Sequence, residues 1–216
     1  MKKIPTIIIG ARADGHAKVV LEMLHAGDTY NVVGFIDDDR SKHGLEIKGI
    51  KVIGSTDQLS QFRKELGVAA GIVAIGNNPM RRSLSEEIIQ SGIELINAIH
   101  PTAHFDSDVV IGKGCYVGQG VIIVTGTRIG NCVNIHTGAT IDHDNIIEDG
   151  ANLGPGVHTA GRVKIGRNAF LGTGAIVIPD ASVGEGSVIG AGGVVINAVP
   201  ANVTAVGVPA KVVKKN

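Results

Sequence analysis

The stretch Ile135-His136-Thr137-Gly138-Ala139-Thr140-Ile141-Asp142-His143-Asp144-Asn145-Ile146-Ile147-Glu148-Asp149-Gly150-Ala151-Asn152-Leu153 decides the fold, because a large aliphatic residue returns at every sixth position, at Ile135, Ile141, Ile147 and Leu153. Stepping by six in both directions extends the series from Ile111, Val117, Ile123 and Ile129 to Ile165, Leu171, Val177, Val183, Ile189 and Val195. Fourteen of these fifteen positions are aliphatic, Thr159 being the exception. The next residue is Gly at 112, 118, 130, 154, 166, 172, 184 and 190, and the residue two before is mostly small, as at Cys115, Ala139, Ala151, Ala169, Ala175 and Ala181. One large and one small inward position per six residues describes a parallel β-helix whose coils stack strand on strand. Three hexads close a triangular coil, so fifteen hexads give five coils, each about 4.8 Å above the last. Residues 18 apart become neighbours.

This repeat also accounts for a composition of 31 Gly with only 3% aromatic residues, far from ordinary globular usage. Upstream of His100 the period changes. Apolar strands at residues 4–9, 31–36, 71–75 and 94–98 alternate with helices at residues 15–25, 55–66 and 79–91, the second opened by the capping-box spacing Ser55-Thr56-Asp57-Gln58. Strand and helix in alternation imply a parallel sheet with crossover helices. The expected organisation is an α/β domain over residues 1–99 and an all-β helix over residues 100–216. The 216 residues carry 20 Lys and Arg against 20 Asp and Glu, so no net field gathers nucleic acid or anionic lipid. No run approaches the roughly 18 apolar residues of a membrane span. Two cysteines, and Met1 to Thr6 with no secretory character, point to a reducing, cytoplasmic setting. Cys115 and Cys132, 17 residues apart instead of 18, read as unbridged thiols.

His143 follows the inward Ile141 by two positions and therefore stands on the outer surface. Its imidazole, with an ordinary pKa of roughly 6.5, suits proton transfer near neutral pH. Adding 18 reaches Gly161, one coil above, where a bare backbone N–H is accessible to an oxyanion. His136 and His158 read as structural or substrate-lining, and His25 and His43 as plain surface residues. A zinc site built from His136, His143 and His158 fits poorly, since 143 and 158 differ by 15. In the front domain Gly10 to Gly15 lies between a strand and a helix, where backbone N–H groups receive a diphosphate. Asp37 ends the second strand, where dinucleotide folds read a ribose. An oxidoreductase is nevertheless a poor fit, because no further domain remains to hold a hydride acceptor.

The [aliphatic]-Gly hexads running to Val206-Gly207-Val208-Pro209-Ala210-Lys211 resemble the left-handed β-helix of the hexapeptide acyltransferases. With Gly10-Ala11-Arg12-Ala13-Asp14-Gly15-His16, Gly34-Phe35-Ile36-Asp37-Asp38-Asp39, Ile75-Gly76-Asn77-Asn78, His100-Pro101 and Ile141-Asp142-His143-Asp144, the chain is similar from end to end to the nucleotide-sugar N-acetyltransferases of the bacillosamine and perosamine type, which are related to the sialic acid O-acetyltransferases. The resemblance implies a Rossmann-like front domain followed by a left-handed parallel β-helix. It further implies acetyl-CoA as co-substrate without a metal, and acetylation of the 4-amino group of a nucleotide-linked 4-amino-4,6-dideoxy sugar, UDP- or GDP-linked. It makes His143 the general base, Asp144 the acid that orients it and Gly161 the oxyanion donor. Asn152 stands nine residues beyond the base, where some relatives carry a second histidine. Gly10, Ala11, Arg12 and His16 are expected at the nucleotide's phosphates, Asp37 and Asp38 at its base or ribose, and Gly76 and Asn77 beside them. Gly161, Thr173, Gly174, Ala191 and Lys211 are expected along a CoA groove shared between subunits of a homotrimer. The alternatives are an O-acetyltransferase and a nucleotide-sugar sensor without chemistry.

Overall fold

In the computed structural model, which describes residues 2–10 and 15–216, the chain divides into two compact units, Met1–Ile99 and His100–Asn216. The first unit runs β1 (Ile4–Ile9), α1 (His16–Ala26), β2 (Tyr30–Ile36), β3 (Glu46–Ile47), β4 (Ile50–Gly54), α2 (Leu59–Glu65), β5 (Ala70–Val73), α3 (Asn78–Gln90) and β6 (Glu94–Leu95). The strands form one sheet in the order β3-β4-β2-β1-β5-β6, parallel except for β3 against β4. Ile7, Ile8 and Ile9 are consecutive and all buried, as expected of a strand covered on both faces. The capping box at Ser55 is present, and it opens a short 3₁₀ turn that leads into α2. The β3–β4 hairpin is not foreseen by the strand–helix alternation. Ile47 pairs with Ile50 across Lys48-Gly49, both at positive φ (49° and 82°), the backbone a two-residue hairpin turn needs.

The second unit is the left-handed parallel β-helix. Its rungs pair at a spacing of 18: Ile123 with Ile141, Ile129 with Ile147 and Ile135 with Leu153. The three pairings define three faces of a prism, and the inward residues Ile123, Ile135, Ile141, Leu153, Ile165, Leu171 and Val177 are fully buried along its axis. The face containing Thr140–Ile141 has six strands, one more than counting from Ile111 predicts, because His104–Phe105 pairs beneath Ile122–Ile123. Phe105 fills the aliphatic slot with a ring and so escapes an aliphatic count. At the other end Ile189 pairs with Ala205, 16 residues on, and Val203–Val206 turns back on Lys211–Lys215 as an antiparallel pair. No helix of the described residues is long and apolar enough to cross a membrane.

Where a glycine follows the inward aliphatic, the coil above packs directly against it. A Cβ on Gly172 would stand 2.6 Å from the Ala191 nitrogen one coil above, so Gly172 is spoken for by its own neighbour. Truncating an axial residue opens a hole that the stacked backbones cannot collapse into. Ile135→Ala is expected to destabilise the fold by about 2–5 kcal/mol, read as a lowered denaturant midpoint at unchanged m-value.

Candidate active site

His143 stands at the corner between the face of Thr140–Ile141 and that of Ile146–Ile147. Adjacent residues in a strand point apart, yet His143 and Asp144 meet, because Asp144 takes φ 58° and folds the chain into a tight turn. His143 Nδ1 lies 2.8 Å from Asp144 Oδ2. An ionised carboxylate only accepts, so Nδ1 carries the hydrogen and the Nε2 lone pair is free. One coil above, the Arg162 N–H donates to the His143 carbonyl at 2.9 Å, which stacks the two corners. The imidazole lies over Gly161. A Cβ there would collide with His143 Nε2 and come within 2.5 Å of Cε1.

The peptide N–H groups of this corner column differ in a way that matters for chemistry. The Thr125 N–H donates to Asp106 at 2.8 Å, and that of His143 to Asp142 at 2.7 Å. Gly161 N–H makes no hydrogen bond among the described residues: Asp142 accepts from His143 instead, and Ala160 has no acceptor side chain. A buried donor left open costs a fold about 1–3 kcal/mol, so an acceptor from outside the chain is the natural partner. Around this pair sits a ladder of charge. Arg162 (φ 58°) holds Asp180 (φ 62°) in a two-point pair at 2.6 and 2.8 Å. The hydrogen bond from Arg162 keeps the Asp180 carboxyl below the usual range, with a smaller contribution from the charge of His143.

Other expected residues are not brought to His143 within one chain. Asn152 lies in the strand Asn152–Leu153, paired between Asn134 and Phe170, and the whole face of Ile146–Ile147 separates it from the base. Thr173, Gly174 and Ala191 occupy a different corner, where the Gly192 N–H donates to the Thr173 carbonyl at 2.9 Å. Lys211 lies in the exposed strand Lys211–Lys215. His158 is engaged with Thr140 Oγ1 at 2.7 Å. Among the described residues no group of three His, Cys, Asp or Glu side chains is placed to hold a metal ion.

In the first unit a cleft of about 690 Å³ opens at the C-terminal end of the parallel strands, where ligands of such sheets bind. Gly10, His16, Asp37, Asp38, Gly76 and Asn77 all line it. Ala11 and Arg12 fall outside the described residues. Two helix N-termini face this cleft, and their exposed N–H groups favour an anion. Gly15 precedes α1, which has no acid in its first turn, and Asn77 caps α3 by accepting the Met80 N–H at 2.9 Å. Beneath α3 the guanidinium of Arg81, fully buried, donates to the Ile75 carbonyl and to Asn78 Oδ1, both at 3.0 Å.

Residues that the sequence did not single out shape the acidic wall. Lys42 Nζ lies 2.9 Å from Asp37 Oδ2 and the Asp39 N–H donates to Asp37 Oδ1 at 3.0 Å, so both carboxylate oxygens have internal partners. His43, expected as a plain surface residue, donates from Nε2 to the Asp37 carbonyl at 2.9 Å. Asp38 Oδ1 accepts the Thr56 N–H at 2.9 Å. The only hint in the sequence was position: Lys42 and His43 follow the Asp37-Asp38-Asp39 run within one turn.

Residues 6–88 match the PglD N-terminal domain family, and residues 162–197 match the bacterial transferase hexapeptide family of six repeats. Among solved structures, a histidine-to-asparagine variant of perosamine N-acetyltransferase from Caulobacter crescentus, in complex with CoA and GDP-perosamine, superposes with a TM-score of 0.91 at 39% identity. The match covers 98% of this chain and 97% of that one. The acetyltransferase domain of PglB from Neisseria gonorrhoeae, in complex with acetyl coenzyme A, superposes with a TM-score of 0.88 at 32% identity, covering 98% and 100%. By sequence, UDP-N-acetylbacillosamine N-acetyltransferase of Bacillus subtilis is 34% identical over 112 residues, which is 51% of this chain and 47% of that protein. The chain spans less than half the length of the curated relatives it matches.

Proposed function

Since the chain belongs to the hexapeptide-repeat sugar N-acetyltransferases with a PglD-type N-terminal domain, we propose that it moves the acetyl group of acetyl-CoA onto the 4-amino group of a nucleotide-linked 4-amino-4,6-dideoxy sugar. The observation that carries this reading is the Gly161 N–H, open beside an imidazole whose Nδ1 is tied to Asp144. Acyl transfer to an amine needs those two things together: a base for the proton and a donor for the oxyanion. The neutral amine nitrogen attacks the thioester carbonyl carbon while His143 Nε2 takes its proton. The carbonyl oxygen gathers negative charge and is met by the Gly161 N–H. Asp144 stabilises the imidazolium, which returns its proton to the departing CoA sulfur as the C–S bond breaks. The new N–C bond leaves an amide and free thiol.

The cleft of the first unit is the proposed nucleotide-sugar site, with its two helix N-termini meeting the diphosphate. The separation of Thr173, Gly174, Ala191 and Asn152 from His143 within one chain supports a homotrimer, in which the base of one subunit faces a different corner of the next. We place the reaction in the cytoplasm, where acetyl-CoA and nucleotide sugars are made. A panel of UDP- and GDP-linked 4-amino sugars, assayed with acetyl-CoA by thiol release, tests the reading. Saturable release with one of them and a mass gain of one acetyl group are expected. Turnover of hydroxyl acceptors alone, sialic acid included, would replace N- by O-acetylation, and no turnover at all would leave a binding protein.

A further inference from the structure

Inside the prism, two residues after His143, the small inward position is filled by an amide. Asn145 is fully buried among aliphatics, and the same column one and two coils up holds Val163 and Ala181. The fold therefore does not need a polar group there. Asn145 Nδ2 donates to the carbonyls of Asp142 at 2.8 Å, His143 at 3.2 Å and Ala160 at 2.8 Å. All three partners are acceptors only, which fixes the nitrogen end of the amide toward them, while Oδ1 has no hydrogen-bond partner. One coil below, Thr127 is equally buried. Its hydroxyl donates to the Asp142 carbonyl at 2.9 Å and accepts the Asn145 N–H at 3.3 Å. A buried amide with one end unsatisfied is a poor source of stability. Its geometry is what it contributes.

The Ala160 carbonyl belongs to the same peptide plane as the Gly161 N–H. In a trans peptide these two groups point in opposite directions, so a hydrogen bond that holds the carbonyl inward on Asn145 aims the N–H outward, away from the core. The same bond polarises the plane and strengthens the outward donor. We infer that Asn145, supported by Thr127, is a positioning residue that clasps the turn of the base to the oxyanion peptide from inside the core. The inference deepens the acyl-transfer reading and rests on it.

Asn145→Leu is close to isosteric and suits the aliphatic surroundings, so the variant is expected to fold. A misplaced catalytic constellation costs about 10²-fold in kcat, and a loss of that order is expected, with KM for both substrates held within twofold. Thr127→Val keeps the shape and removes the hydroxyl, and a smaller fall in kcat is expected. Thr127→Ser restores the hydroxyl and is expected to restore the rate. Equal kcat in Asn145→Leu and wild type overturns the clasp and leaves the proposed reaction standing. A readout independent of turnover is the Gly161 amide resonance in ¹H–¹⁵N spectra, expected to move upfield in Asn145→Leu and to stay in Thr127→Ser. If wild type acetylates nothing, the reaction falls, and this spectrum still decides the clasp: an unmoved resonance overturns it. Should Asn145→Leu fail to fold, the Thr127→Val and Thr127→Ser pair carries the same decision.

Discussion

Replacing His143 by asparagine is expected to lower kcat about 10²- to 10⁴-fold, with KM for acetyl-CoA nearly unchanged and the unfolding midpoint within a degree or two of wild type. The stability expectation follows from position. The side chain is 40% exposed and its partner Asp144 59% exposed, so no core is disturbed and the Asp144 turn, set by its own backbone, survives. The rate expectation follows from charge. Without a base, the attacking amine must shed its proton to water from a zwitterionic adduct, and the imidazolium that returns a proton to sulfur is gone. The surviving rate should climb as pH rises and hydroxide takes over the proton transfer, a dependence the wild type, with its own base in place, should not share. Initial rates of thiol release across pH for both proteins separate these behaviours. A variant within tenfold of wild type at neutral pH removes His143 from the chemistry.

Much of this site is legible in the sequence, because a repeat of fixed length converts sequence distance into spatial distance. The step of 18 from His143 to Gly161 is the clearest instance, and the Arg162 N–H bonding the His143 carbonyl is its structural counterpart. The same arithmetic fails wherever the coil departs from six. Phe105 hid a rung by being aromatic, and the Ile189–Ala205 pairing is two residues short of a full coil. Periodicity also says nothing about which corner a column occupies. Asn152 and Thr173 are close to His143 in coil number, yet other faces of the prism intervene. In the front unit the alternation of strands and helices pointed to Gly10, Gly15 and Asp37, and the family resemblance to His16, Asp38, Gly76 and Asn77, all of which line the cleft. Local chemistry then altered their roles, since Asp37 has Lys42, Asp39 and His43 as internal partners. Asn145 carries a signal in the sequence: among the small inward residues at six-residue steps it is the one amide, and it stands two residues from the base.

Gly161→Ala tests the pairing of base and donor more sharply than any change to His143, because it adds a single methyl and removes no functional group. The backbone of Gly161 lies outside the left-handed region, so alanine is conformationally acceptable and the coil should stack as before. What the methyl meets is the imidazole: Nε2 collides with it, and Cε1 comes within 2.5 Å. The ring must swing away, which breaks its alignment with Asp144, and the methyl then covers the approach to the Gly161 N–H. Loss of one oxyanion donor costs about 10²–10³ in kcat, and the displaced base adds to it, so a fall of at least that size is expected at unchanged thermal stability. The double variant His143→Ala with Gly161→Ala supplies the decisive comparison. With the imidazole gone the methyl has nothing to displace, so its additional cost should be much smaller than in the wild-type background, the non-additivity expected of groups that act as a unit. Independent, multiplicative losses would mean that the two groups do not share one reaction site.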